Sequence, residues 1–133
     1  MSDNLEHFRD YARILLAGIR LLNGTAALFA PTLLARRFGD NPNSAVIYVL
    51  RLFGVRTIII AIELLVPDKD FRARALRYAI PIHASDTLSA ALAGIQGQLP
   101  SRTSIMLTAI SGVNTALAIL AQPRRAKRIE SER

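Results

Sequence analysis

Seven side chains of this chain stand inside apolar stretches, where groups of their kind are rare: Arg20 and Asn23 in the first stretch, Arg56 and Glu63 in the second, His83 and Asp86 in the third, Asn114 in the fourth. Held midway through hydrocarbon, such a charge costs about 3 kcal/mol or more unless it turns inward and finds a partner. As a set they suit binding better than bond-making. Arg20 and Arg56 supply cations, Asp86 a counter-charge, Asn23 and Asn114 hydrogen bonds, and His83 an imidazole able to exchange protons. An Arg56–Asp86 pair leaves Arg20 as surplus positive charge, for Glu63 or an anionic group of a guest to balance. His83 and Asp86, three apart and so on one helix face, also define the alternative of a membrane-embedded isomerase, cyclase or hydrolase with an acid–base pair. A His83 merely satisfied by Asp86 is the commoner arrangement, and it is the one expected. A proton-coupled transporter is a third reading.

The plainer alternative is that these residues only lock helices together. Interhelical polar contacts in membranes average below ~1 kcal/mol, a weak reason to keep three arginines and two carboxylates in apolar segments. A polar binding pocket is therefore the stronger expectation. Arg51 falls on another face from Arg56, nearer the outer surface, where its long stem lets the guanidinium reach headgroups.

Four helices must position these groups, over about 11–31, 45–66, 75–95 and 104–121. Twenty residues at ~1.5 Å each span one hydrocarbon thickness. Ser44 is the expected N-cap of the second helix, Pro67–Asp68 its end, and Gly97 and Pro100 the end of the third. Pro81, two residues before His83, removes a backbone hydrogen bond from the third helix. Ser85, Ser89, Ala93 and Gly97 form a small-residue stripe suited to close helix contact, as do Ala109, Gly112 and Ala116. Gly18-Ile19-Arg20 and Gly54-Val55-Arg56 echo each other 36 residues apart, a weak hint of an internal repeat.

Composition narrows the classes further. The 133 residues allow one domain, and 51% are hydrophobic with no tryptophan. Cysteine is absent and there are two histidines, which excludes disulfides and thiol chemistry and leaves no ligand spacing for a metal. No cofactor is expected. The net charge of +7 crowds the ends of the apolar stretches, which fits membrane orientation and anionic lipid rather than nucleic acid. With four spans, eleven basic residues flank the helices on the side of both termini and three (Arg36, Arg37, Arg102) on the other, so both termini are expected in the cytoplasm. Residues 124–133 form a basic cytoplasmic tail. The start of the chain, acidic rather than basic, lacks the charged region of a cleavable signal.

Arg51-Leu52-Phe53-Gly54-Val55-Arg56 and His83-Ala84-Ser85-Asp86 resemble motifs of a family of small four-helix membrane proteins, broadly DoxX-like, over about residues 12–120. The resemblance implies a four-helix integral membrane protein. Some DoxX-like proteins are subunits of quinone-linked oxidoreductases, but no redox ligand or cofactor box accompanies the motifs here. The expectation is thus an all-α, four-span antiparallel transmembrane bundle of the inner membrane. It would bind a lipid-like or small anionic molecule, or serve as an accessory subunit, with membrane lipids, a second copy or a larger envelope complex as partners. A soluble bundle that dimerises is the competing architecture.

Overall fold

The computed structural model describes residues 2–37 and 43–123; the expected basic tail, 124–133, lies outside the described residues. Among them the only regular structure is helical: α1 (Ser2–Phe29), α2 (Pro31–Ala35), α3 (Ser44–Leu65), α4 (Lys69–Ile95) and α5 (Ser101–Leu120). The four long helices run up and down. Arg13 of α1 donates to the carbonyl of Leu64 near the end of α3 (2.6 Å). Ser104 at the start of α5 donates to the Ala90 carbonyl late in α4 (2.9 Å). Each helix is therefore antiparallel to its neighbours. The bundle is made of two close pairs, α1 with α3 and α4 with α5, which meet each other more sparingly.

Three of the helices, Asn4–Phe29, Ser44–Leu65 and Ser101–Leu120, are long and apolar enough to cross a membrane. The fourth expected span, α4, is not among them. It opens on Lys69, Arg72, Arg74 and Arg77 six residues earlier than anticipated, and the stretch beyond them is interrupted by Pro81, His83, Ser85, Asp86, Thr87 and Ser89, which lower its apolarity. α1 likewise begins nine residues before the expected Tyr11.

Local chemistry sets the ends. Asn43, rather than Ser44, caps α3 by accepting from the Val46 N–H (2.9 Å); the amide side chain one position earlier reaches the third helical N–H, as an N-cap must. Asp68 caps α4 by accepting from the Phe71 N–H (2.8 Å). That backbone donor holds the Asp68 carboxyl below the usual carboxylate range. A depressed carboxyl stabilises the folded form above its ordinary pKa and ceases to as pH falls through the lowered value. Asp68→Ala is expected to speed hydrogen exchange at the Phe71 amide at neutral pH, with Asp68→Asn closer to the parent. α4 ends on Gly97, whose φ of +69° suits glycine. The Gln98 N–H donates to the Ala93 carbonyl (2.8 Å) and the Gly97 N–H to that of Gly94 (3.1 Å), a Schellman cap. Gly97 thus terminates the helix instead of extending a packing stripe.

The stripe itself is not where helices close. Ser85 and Ser89 are exposed. Backbone meets backbone closely between α1 and α3, where a Cβ added at Gly54 would lie 2.7 Å from the Gly24 carbonyl oxygen and 2.8 Å from the Leu28 nitrogen. Between α4 and α5 an added Cβ at Gly94 would collide with Ser104. Gly18 has nothing within 4 Å and Arg20 and Arg56 differ in burial, so the echo of Gly18–Arg20 in Gly54–Arg56 is not a structural equivalence.

The solid core fills only the half of the bundle nearest the termini, where Leu16, Ala17, Leu64, Leu76, Ala79 and Ala118 are buried together. Small residues dominate it, so the helices converge there. Outside, large apolar side chains are bare: Ile95 is 83% exposed, Phe29 77% and Leu22 73%. So much uncovered apolar surface marks contact with lipid or another apolar partner.

Candidate functional site

Above that core the two helical pairs part around a cavity of about 660 Å³, within the range that holds small-molecule ligands. Its walls are apolar, from Val49, Leu50 and Phe53 on α3 and Met106, Leu107 and Ile110 on α5. Toward the core it ends on polar groups from all four long helices: Arg20, Thr57, His83 and Asn114. Each of the four is at least nine-tenths buried. At the other end it reaches Arg37 and Asn43.

The floor is built around one contact. The Arg20 guanidinium of α1 meets the His83 ring of α4. An arginine can only donate, so the facing ring nitrogen accepts and carries no proton. Leu16 and Ala17 below and Ala27 above put Arg20 on the inward face of α1. On α4, Leu76, Ala79, His83 and Ala90 share the buried face, at spacings of three, four and seven that keep one side of a helix inward. α4 stays one helix through Pro81. Immediately beyond the proline, Ser85 donates to the Ile82 carbonyl (2.8 Å) and Thr87 to the His83 carbonyl (2.7 Å).

Asp86 lines the cavity and receives Arg56 of α3 at 3.4 Å. Arg56 itself lies outside the cavity lining, with its side chain 49% exposed and its guanidinium over the Phe53 ring at 5.5 Å. The His83 ring and the Asp86 carboxylate therefore each face an arginine, not each other. Asn23 lines the cavity, half-buried, and Glu63 does not line it. Arg51 is exposed.

Among the described residues, three buried polar atoms around the floor lack a hydrogen-bond partner: Arg20 Nε, Thr57 Oγ1 and Asn114 Oδ1. Buried polar groups are nearly always paired, so three orphans at one cavity end set it apart. With Asp86 engaged by Arg56, the floor also keeps the Arg20 charge without an opposing carboxylate in contact. Among the described residues no cluster of histidine and carboxylate side chains could hold a metal ion.

Thr57 is the inward polar group that sequence reasoning missed on α3, one residue from Arg56. Its signal lay in the spacing of Gly54, Thr57, Ala61 and Leu64, which all prove buried and follow the i, i+3, i+4 rule of a helix face. Comparison with known proteins finds no matching family model, curated relative or solved structure.

Proposed function

We propose that this chain is a four-span inner-membrane protein, both termini cytoplasmic, that binds a lipid-like molecule in its central cavity. An anionic or hydrogen-bond-accepting end of the guest sits on Arg20 and Thr57, a hydroxyl beside it donates to Asn114 Oδ1, and its apolar part lies along α3 and α5. The carrying observation is the combination of apolar walls with a buried floor that holds a cation and three unpaired polar atoms. α4 is the fourth span because it packs lengthwise along α5 and against α3; if its neighbours cross the bilayer, it crosses with them. From Tyr78 to Ile95 it supplies about 27 Å of helix beyond its basic start. The three tyrosines support the placement, all exposed: Tyr11 and Tyr78 where the apolar parts of α1 and α4 begin on the terminal side, and Tyr48 in the second turn of α3 at the opposite side, as interfacial aromatics are. The excess of basic residues on the terminal side supports the orientation. The resemblance of Arg51–Arg56 and His83–Asp86 to motifs of DoxX-like membrane proteins points the same way. Because His83 and Asp86 are each held by an arginine, binding is favoured over acid–base catalysis.

Native mass spectrometry of protein extracted in mild detergent tests this. The wild type is expected to carry a co-purifying adduct, or to take up dodecanoate with a rise in Tm. Leu107→Trp, which fills the cavity from its wall, is expected to lose the adduct while still folding. A wild type that neither carries nor accepts such a molecule, or a Leu107→Trp variant that binds it equally, would overturn the proposal.

A further inference from the structure

A second concavity, of about 360 Å³, lies at the terminal end of the bundle between the first turns of α1, the first turns of α4 and the residues after α5. No role in the central cavity accounts for it. Four basic side chains line it, Arg9, Arg13, Lys69 and Arg72, against two carboxylates, Glu6 and Asp10. Arg13 is already committed, donating to Asp10 (3.1 Å) and to the Leu64 carbonyl. Among the described residues, that leaves Arg9, Lys69 and Arg72 facing one remaining carboxylate. Leu5, Ala73, Leu76 and Ala121 supply apolar lining beside them.

The surroundings fix its depth. Phe8 and Tyr11 on α1 and Phe71 and Tyr78 on α4 are all exposed at this end, the pattern of side chains at a membrane–water boundary. A basic groove between helices at that level is chemically matched to a phosphate with acyl chains attached. The phosphate satisfies the cations while the chains follow the bare apolar flanks of α1 and α4.

We infer that this groove is a specific site for the headgroup of an anionic phospholipid, seated between α1 and α4 on the terminal side. It rests on the membrane reading above but not on the central cavity. Full-length protein equilibrated with equal amounts of phosphatidylglycerol and phosphatidylcholine and analysed by native mass spectrometry provides the test. Wild type is expected to retain the anionic lipid at least fivefold over the zwitterionic one. Arg9→Gln/Arg72→Gln is expected to remove that preference. Neutralising Arg124, Arg125, Lys127 and Arg128 to glutamine is expected to keep it, and a Tm close to the parent's controls for folding. Inorganic phosphate at millimolar concentration is expected not to displace the lipid; displacement would mean a free-phosphate site and overturn the assignment. Equal retention by the double variant, or loss on neutralising the tail alone, would also overturn it. Cell fractionation separates the two levels of failure. Protein in the soluble fraction defeats the membrane reading, whereas membrane-bound protein with no lipid preference defeats only the groove.

Discussion

Replacing His83 with leucine is expected to destabilise the bundle by about 2–3 kcal/mol, the scale of losing a hydrogen bond to a charged group. The substitution removes the acceptor of a guanidinium that is only 2% exposed. Hydrogen bonds between membrane helices average about 0.6 kcal/mol in measured cycles and reach about 1.7 at most, so a neutral pair would lose less. Here the group left behind is a buried cation, and the desolvation it has already suffered is no longer offset. His83→Gln, which keeps an acceptor on the same face of α4, is expected to lose less than half as much. Unfolding in detergent micelles, followed by circular dichroism, checks both. A His83→Leu protein as stable as the parent would show that Arg20 finds another acceptor, and the floor described above would then be wrong.

The second large effect belongs to Gly54. Gly54→Val is expected to cost about 3 kcal/mol, the upper part of the overpacking range, and to push α1 away from α3. The obstacles to even one added carbon are the Gly24 carbonyl oxygen and the Leu28 nitrogen, and backbone atoms cannot rotate aside as a side-chain tip can. Gly54→Ala should already be destabilising by about 1 kcal/mol or more. Gly112→Ala is the contrasting case, because its added carbon would meet only Thr87 Cγ2, at 4.0 Å. That variant is expected to be neutral or to gain up to about 1 kcal/mol from helix propensity. Equal thermal shifts for Gly54→Ala and Gly112→Ala would refute the close crossing.

Much of the helical framework was legible in the sequence because apolar runs and their breakers are local signals. Pro67, Gly97 and Pro100 punctuate the chain where helices end. The N-terminal extents were not legible, since the amphipathic starts of α1 and α4 carry too many charges to read as part of an apolar stretch. Inward-facing polar groups were partly legible: a charge in hydrocarbon announces itself, as Arg20 does. What it meets depends on helix rotation, and one position on a helix is ~100° of turn. That is why Thr57 rather than Arg56 faces the cavity, and why His83 met Arg20 when Asp86 was the expected partner. Close crossings were the least legible, because Gly24 and Gly54 reveal their role only when two distant segments are superposed.

The two ends of the bundle are fastened by different kinds of bond. Opposite the termini, Thr103 donates to the Arg37 carbonyl (2.5 Å) and Ser104 to the Ala90 carbonyl, uncharged stitches that no counterion can screen. At the terminal end, Arg13 gathers Asp10 and α3 through its charge, within reach of the ionic atmosphere. Saltier surroundings therefore weaken the Arg13–Asp10 pair and leave the Thr103 and Ser104 bonds as they are.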